Sequence, residues 1–205
     1  MRRHPLLSLS LCALLLFATW LGCARFGSPP ARTALPGFRT GVCGEQELTF
    51  RYGPDVRIHI NAPAVEDFDP AKPVELVFYA LPNTNTIEFT AGKAPAEGDD
   101  WHYQIQNIAA QTRWLRQRDT RRNLVVAYLE TSQLSWPAWN RQHPDRLERI
   151  AAIADSLRKI FRAYRTTVTL SGHSGGGSFI FGFIERYPGI PDYVGRISFL
   201  DSDYN

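Results

Sequence analysis

Apolar runs broken by turn signals predict regular secondary structure from residue 44 onwards. Gln46 to Tyr52 and Val56 to Ala62 are short β-prone runs, and the Gly53-Pro54-Asp55 turn signal between them predicts a β-hairpin. Val74 to Leu81 is a nearly continuous apolar run. Such a run is typical of a strand covered on both faces, so we predict a central strand there.

Helical and strand patterns alternate in the rest of the chain. Apolar residues at helical spacing predict one helix over Tyr103 to Arg118 and a longer one from Pro144 to Tyr164. Further strands are predicted over Asn123 to Glu130, Thr167 to Leu170 and Arg196 to Leu200. Strands that alternate with helices predict an α/β fold, in which a mostly parallel sheet carries helices on both faces.

Residues 171 to 177 read Ser-Gly-His-Ser-Gly-Gly-Gly, between a predicted strand and the apolar stretch Phe179 to Ile184. Gly172, Ser174 and Gly176 form a G-x-S-x-G sequence at a strand-to-helix turn, which makes Ser174 a candidate nucleophile. Glycine on either side of an apical residue avoids collisions of a Cβ with the strand or the helix. A glycine-rich loop that only turns the chain is the plainer alternative.

The helix after this turn adds a second chemical feature. Its unpaired amide groups and the positive end of its dipole face the apex, where they favour negative charge on a bound acyl oxygen. The N–H of Gly175 is therefore a candidate oxyanion donor. A phosphate cradle is disfavoured, because no Lys-Ser/Thr pair of the P-loop type follows and no G-x-G-x-x-G pattern is present.

The order of these elements, with a hairpin first and Ser174 after the fifth strand, resembles the α/β-hydrolase fold over residues 44 to 205. The resemblance implies an esterase-like serine hydrolase in which an acid and then a histidine follow the serine in the chain. No histidine follows Ser174. We therefore expect a fragment truncated at its C-terminus, which lacks the last strands and the triad histidine and is inactive as it stands.

The five histidines all come before Ser174 or stand beside it: His4, His59, His102, His143 and His173. His4 belongs to the leader, and His173 is the variable residue of the G-x-S-x-G sequence, poorly placed to reach the hydroxyl of its neighbour. The other three are expected to be surface or loop-end residues.

The resemblance also implies the remaining site residues. Asp201 follows the last predicted strand and would orient the histidine, with Asp203 as the alternative; either carboxylate could instead cap the next turn. The second oxyanion donor would come from the loop after Val74 to Leu81. Pro82 has no N–H, so Asn83 or Thr84 is the candidate there.

Two tryptophans follow the Asn123 to Glu130 strand at the same predicted edge. Trp136 and Trp139 could stack on a sugar or flank an acyl chain, which makes them candidate substrate-binding residues. Alternatively, the two indoles close the core beneath a loop.

Composition predicts one globular domain and no special partner. The chain has 205 residues, 44% of them hydrophobic, and a net charge of +3. The arginines between residues 113 and 122 are expected to be solvated at a helix end, and no nucleic-acid partner is expected. No sequence pattern of a metal site is found, and no cofactor is predicted. The oligomeric state is left open.

The N-terminus predicts export. Arg2 and Arg3 precede the apolar run Leu6 to Leu21, which predicts a signal over residues 1 to 24, followed by a Pro-containing linker over 25 to 43. Leu21-Gly22-Cys23 resembles the end of a bacterial lipoprotein signal, so lipidation of Cys23 would provide a membrane tether. A simple cleaved signal and an uncleaved anchor are the alternatives. Cys43 is the single cysteine after the leader.

Two classes of function therefore remain. The first is an exported serine hydrolase that cleaves a carboxylic ester in the periplasm, at the cell envelope or outside the cell, with a peptidase or acyltransferase of the same fold as its near relative. The second is a noncatalytic, envelope-tethered binding protein that retains the Ser174 turn without a complete triad.

Overall fold

The computed structural model describes residues 32–99 and 106–202. Within these ranges a seven-stranded sheet has the order β1-β2-β3-β5-β4-β6-β7. The strands are β1 (Arg39–Thr40), β2 (Gln46–Tyr52), β3 (Val56–Ala62), β4 (Val74–Ala80), β5 (Asn123–Thr131), β6 (Thr166–His173) and β7 (Val194–Leu200). The helices are α1 (Ile87–Ala91), α2 (Ile108–Arg118), α3 (Trp136–Gln142), α4 (Arg146–Ile160) and α5 (Gly177–Arg186).

Strand direction confirms the predicted fold class. β2, β4, β5, β6 and β7 run one way, and β1 and β3 run against them. The predicted hairpin is confirmed with its bounds, since Gln46 pairs with Ala62 and Tyr52 with Val56. The chain therefore has a mixed, mostly parallel α/β sheet that begins with antiparallel strands.

Helices cover both faces of the sheet, as the alternation along β5 shows. Val125, Ala127 and Leu129 belong to a large core that also contains apolar side chains of α3, α4 and α5. Val126 and Tyr128 point the other way, into a smaller core with residues of α1 and α2. Because successive side chains of a strand alternate between its faces, these two cores lie on opposite sides of the sheet.

The structure contains two short helices that the sequence pattern did not predict, α1 and α3. Each begins at a hydroxyl cap: Thr86 accepts a hydrogen bond from Phe89 N, and Ser135 accepts one from Ala138 N, both at 3.3 Å. The long loop predicted after β4 is therefore partly helical. α4 begins at Arg146. α2 is described from Ile108, and the part of its predicted range before residue 106 lies outside the described residues.

The packed part of the chain begins before residue 44. Leu35 is 3% exposed in the large core, and its N–H donates to Oε1 of Gln46 at 2.7 Å. β1 pairs with β2 next to it. Both lie in the segment that was predicted to be a linker, whose earlier part lies outside the described residues together with the leader and Cys23. Cys43 is exposed and unpaired. Over residues 32–99 and 106–202, no helix has the length and apolar character needed to cross a bilayer.

Candidate active site

Ser174 lies at the turn from β6 into α5, in a three-residue 3-10 turn that ends at Gly176. Its φ is +49°, a left-handed conformation that costs a side-chain-bearing residue about 1–2 kcal/mol. The side chain is half-buried, and its hydroxyl makes no hydrogen bond to any described residue. Ser174 therefore has a strained backbone and a hydroxyl without a described partner at the carboxyl end of a strand, which is the local geometry of a candidate nucleophile.

The glycines around Ser174 are required by close backbone approaches. A Cβ on Gly172 would lie 2.7 Å from the carbonyl carbon and oxygen of Gly176, where the helix turns back over the strand. A Cβ on Gly176 would collide with the carbonyl oxygen of Ala80, the last residue of β4. The G-x-S-x-G sequence is therefore explained by packing against both β6 and β4.

Gly175 and Asn83 lie side by side, although 92 positions separate them in the chain (175 − 83). A Cβ on Gly175 would be 2.5 Å from Cγ and 2.8 Å from Nδ2 of Asn83. The N–H of Asn83 donates to no described residue. The loop after β4 thus brings the Asn83 side chain next to the first residue after Ser174, and the backbone N–H of Asn83 has no partner among the described residues.

Thr84 differs from Asn83 in this respect. Its N–H donates to the carbonyl oxygen of Leu134 at 2.8 Å, and its hydroxyl donates to the carbonyl oxygen of Asn83 at 2.6 Å. Both donors of Thr84 are therefore already used inside the protein. Of the two sequence candidates for this loop, the structure leaves Asn83 available.

Asp201 lies directly after β7, beside the Ser174 turn. Leu200 pairs with His173 across β6 and β7, so Asp201 follows at the level of Ser174. Ser202, 2% exposed, fixes this end because its hydroxyl donates to the carbonyl oxygen of Gly172 at 2.8 Å. The Asp201 carboxylate is exposed. Asp203, the alternative acid, lies outside the described residues.

None of the histidines in the described ranges is placed to take a proton from Ser174. His59 has Nδ1 2.8 Å from Oγ1 of Thr49, and burial lowers its pKa. Both nitrogens of His143 are engaged, Nε2 with Asp55 at 2.6 Å and Nδ1 with the carbonyl oxygen of Trp139 at 2.7 Å.

His173 is the residue next to Ser174 in the chain. Burial lowers its pKa below the usual 6.5, and the nearby Asp201 carboxylate opposes this shift. His4 and His102 lie outside the described residues.

The structure corrects the prediction that Trp136 and Trp139 line a substrate site. Each is 1% exposed, and their rings pack edge-to-face at 5.3 Å within the large core. Their N–H groups donate inside the protein, Trp136 to the carbonyl oxygen of Leu129 and Trp139 to Oδ2 of Asp55. The two indoles instead close the core, which was the alternative interpretation of the sequence.

Two arginines of α2, Arg113 and Arg116, are less solvated than the sequence suggested, whereas Arg118 is exposed. Arg116 is 13% exposed and donates to Oε1 of Glu45 at 2.7 Å, and Arg113 donates to Oε2 of the same carboxylate at 3.1 Å. Burial lowers the pKa of Arg116 to about 10. These arginines therefore tie α2 to the start of β2. No group of metal-ligating side chains is found in the described ranges.

The solved structures that resemble this chain include one described as the crystal structure of a thermostable esterase. The two chains share 18% identity with a TM-score of 0.42, and the alignment covers 72% of this chain and 39% of that chain. This chain therefore spans less than half the length of that esterase. No protein-family model and no curated protein matches the sequence.

Sequence reasoning missed the residues that hold the Asn83 loop in place. Glu130, next to last in β5, is 9% exposed and accepts hydrogen bonds from Arg57 and from the N–H of Ile87. The available signal was a glutamate near the end of a strand whose middle is apolar. A charge placed so close to a core needs a partner, and the pattern alone did not show which residue supplies it.

Proposed function

We propose that this chain carries the nucleophile of an exported serine hydrolase that cleaves carboxylic esters by acyl transfer through Ser174. One observation supports this proposal above the others. Ser174 adopts φ +49° at a strand-to-helix turn, and the glycines on either side of it have no room for a Cβ. A glycine at the apex would avoid the strain, so the serine found there suggests a use for its hydroxyl.

The chemistry follows from the groups around the turn. The Ser174 Oγ would attack the ester carbonyl carbon, and the carbonyl oxygen would become an oxyanion held by the N–H groups of Gly175 and Asn83. Collapse of this intermediate would break the bond to the alcohol, which leaves with a proton and yields an acyl-enzyme. Water would then attack the acyl-enzyme and release the acid.

The proton transfers require a base. No described histidine is placed for this role, so the proposal needs a histidine from outside residues 32–99 and 106–202. Asp201 is the proposed acid that orients it, because Ser202 holds the end of β7 against Gly172 and so keeps Asp201 beside the Ser174 turn. An exposed carboxylate at this edge is open to an incoming imidazole.

Because no described histidine is placed to act as a base, a second candidate is a noncatalytic binding protein that shares the turn. In that case Ser174 would be an ordinary hydroxyl with no enhanced reactivity. Peptidase and acyltransferase activities of the same site differ from the esterase only in the group that leaves or accepts the acyl chain.

A substrate panel on the full-length protein separates these candidates. We expect hydrolysis of p-nitrophenyl esters of graded acyl length, little cleavage of matched anilides, and no acyl transfer to added alcohols beyond that to water. Ser174→Ala should abolish turnover, whereas Ser178→Ala, at the second residue of α5, should retain it. Turnover that survives Ser174→Ala would exclude Ser174 as the nucleophile.

Export is part of the same proposal and needs its own test. The mass of the mature N-terminal peptide from membranes of the native host would show whether Cys23 is acylated. Cys23→Ser should then release the protein from the membrane fraction. An unmodified N-terminus after cleavage at another residue would instead indicate a simple secreted or periplasmic protein.

A further inference from the structure

The loop that carries Asn83 is fixed at three points to the end of β5 and the turn that follows it. Among the described residues, three of its backbone N–H groups donate to this region: Leu81 to the carbonyl of Leu129 at 3.2 Å, Thr84 to the carbonyl of Leu134 at 2.8 Å, and Ile87 to Oε2 of Glu130 at 2.7 Å. Two of the acceptors are backbone carbonyls. The third is a side chain, and it is a carboxylate, which makes the stronger kind of hydrogen bond.

Glu130 is held in turn by Arg57 on β3. Oε1 accepts from Nε of Arg57 at 2.9 Å, and Oε2 accepts from Nη2 at 2.6 Å. The same guanidinium donates to both carboxylate oxygens of Glu88 in α1, each at 2.8 Å. Arg57 therefore joins the end of β5 to the helix that follows the Asn83 loop, and the charge of the nearly buried Glu130 is compensated.

We propose that Glu130 is a positioning residue for the oxyanion site. It holds the N–H of Ile87, so it fixes the start of α1 and, with the Thr84 to Leu134 bond, the four residues before it. Asn83 lies within this fixed stretch, beside Gly175. This inference rests on the proposed oxyanion role of Asn83. An oxyanion donor must stay within about 0.5 Å of the position in which it can bind the oxyanion. A donor on a loop holds that position only when the side chains that support the loop are themselves fixed.

The first test measures the loop itself and does not depend on activity. Hydrogen–deuterium exchange is followed in peptides that cover residues 81 to 90, in the wild type, in Glu130→Ala and in Glu130→Gln. We expect exchange there to rise by about tenfold or more in Glu130→Ala, because a hydrogen bond to a charged group is lost. Glu130→Gln keeps one acceptor oxygen and should give a smaller rise. Glu185→Gln, at an exposed ion pair with Arg146, is the matched control and should change nothing in this loop.

The second test measures chemistry at Ser174 in the full-length protein. With a p-nitrophenyl ester, Glu130→Gln should lower kcat by about tenfold to a hundredfold with little change in KM, as expected for a misplaced transition-state donor. A purely structural role would lower the fraction of folded protein and leave kcat per active site unchanged. Active sites are therefore counted by titration with a fluorophosphonate.

The outcomes separate this inference from the proposed function. Unchanged exchange over residues 81 to 90 in Glu130→Ala overturns the positioning role, and so does exchange that rises equally throughout the protein. If Glu130→Ala does not fold, Glu130→Gln decides by the same criteria. A wild-type protein that does not react at Ser174 contradicts the proposed function, while the exchange data still decide whether Glu130 fixes the loop.

Discussion

The carbonyl oxygen of Ala80 lies directly against the α carbon of Gly176. This contact joins the end of β4 to the start of α5 and brings the Asn83 loop next to the Ser174 turn. No side chain fits between them, so the close approach of these two residues fixes the distance between the end of β4 and the Ser174 turn.

Gly176→Ala should therefore destabilise the protein strongly. The added Cβ would meet backbone atoms of Ala80 and Leu81, which cannot move without disturbing β4. We expect a loss of about 2–3 kcal/mol in the free energy of unfolding, measured by urea denaturation. Gly189→Ala is the matched control, because a Cβ there would meet nothing within 4 Å, and it should change stability by less than about 0.5 kcal/mol. Equal effects of the two substitutions would contradict the packing described here.

The left-handed backbone of Ser174 predicts an unusual order of stabilities. Ser174→Gly should be more stable than Ser174→Ala by about 1 kcal/mol, because glycine has no Cβ to strain at positive φ. At Ser178, inside α5, the order should reverse by a similar amount, since alanine favours a helix over glycine. Thermal or urea denaturation of the four variants measures both differences. The same order at both positions would show that Ser174 is not strained.

The burial of Trp136 predicts that replacing it lowers the stability of the protein. A substrate-binding role would instead predict a change in KM. Trp136→Ala should cost about 3–5 kcal/mol, because it removes a 1% exposed indole that packs on Phe179 at 4.8 Å. Trp114→Ala, at a 56% exposed position, should have little effect. Denaturation of both variants measures the contrast. A stable Trp136→Ala protein with an altered KM would restore the role predicted from the sequence.

Glu88 predicts a pH dependence of stability. Its hydrogen bonds with Arg57 lower its pKa from the ordinary 4.5 to about 2. The stabilisation from this carboxylate is therefore fully present above pH 4.5 and is lost as the pH falls towards 2. The difference in stability between the wild type and Glu88→Gln should shrink over this window. A difference that stays constant from pH 6 to pH 2 would contradict the ion pair.

Local patterns in the sequence were enough for much of the fold. The hairpin bounds and the positions of β4, β5, β6 and β7 along the chain follow from runs of apolar residues and turn signals that act over a few positions. The Ser174 turn was recognisable because glycine spacing reports backbone crowding directly. These features depend on residues that are close together in the chain, so they can be recognised from the sequence alone.

Features that depend on distant contacts were not predictable in the same way. The burial of Trp139 depends on how α3 packs against β5 and α5, and its N–H finds Asp55 84 positions away. The choice between Asn83 and Thr84 depends on the carbonyl of Leu134, which accepts from Thr84. Glu130 and Arg57 meet because β3 and β5 are neighbours in the sheet. Each of these pairings is set by tertiary packing.

The most direct test of the account is the reaction of the folded, full-length protein with a fluorophosphonate, followed by peptide mass spectrometry. A reactive nucleophile predicts one label per chain on the peptide that contains Ser174, loss of that label in Ser174→Ala and in heat-denatured protein, and retention in Ser178→Ala. No label on the folded protein, or a label that persists in Ser174→Ala, would contradict the claim that Ser174 is the nucleophile of a hydrolase.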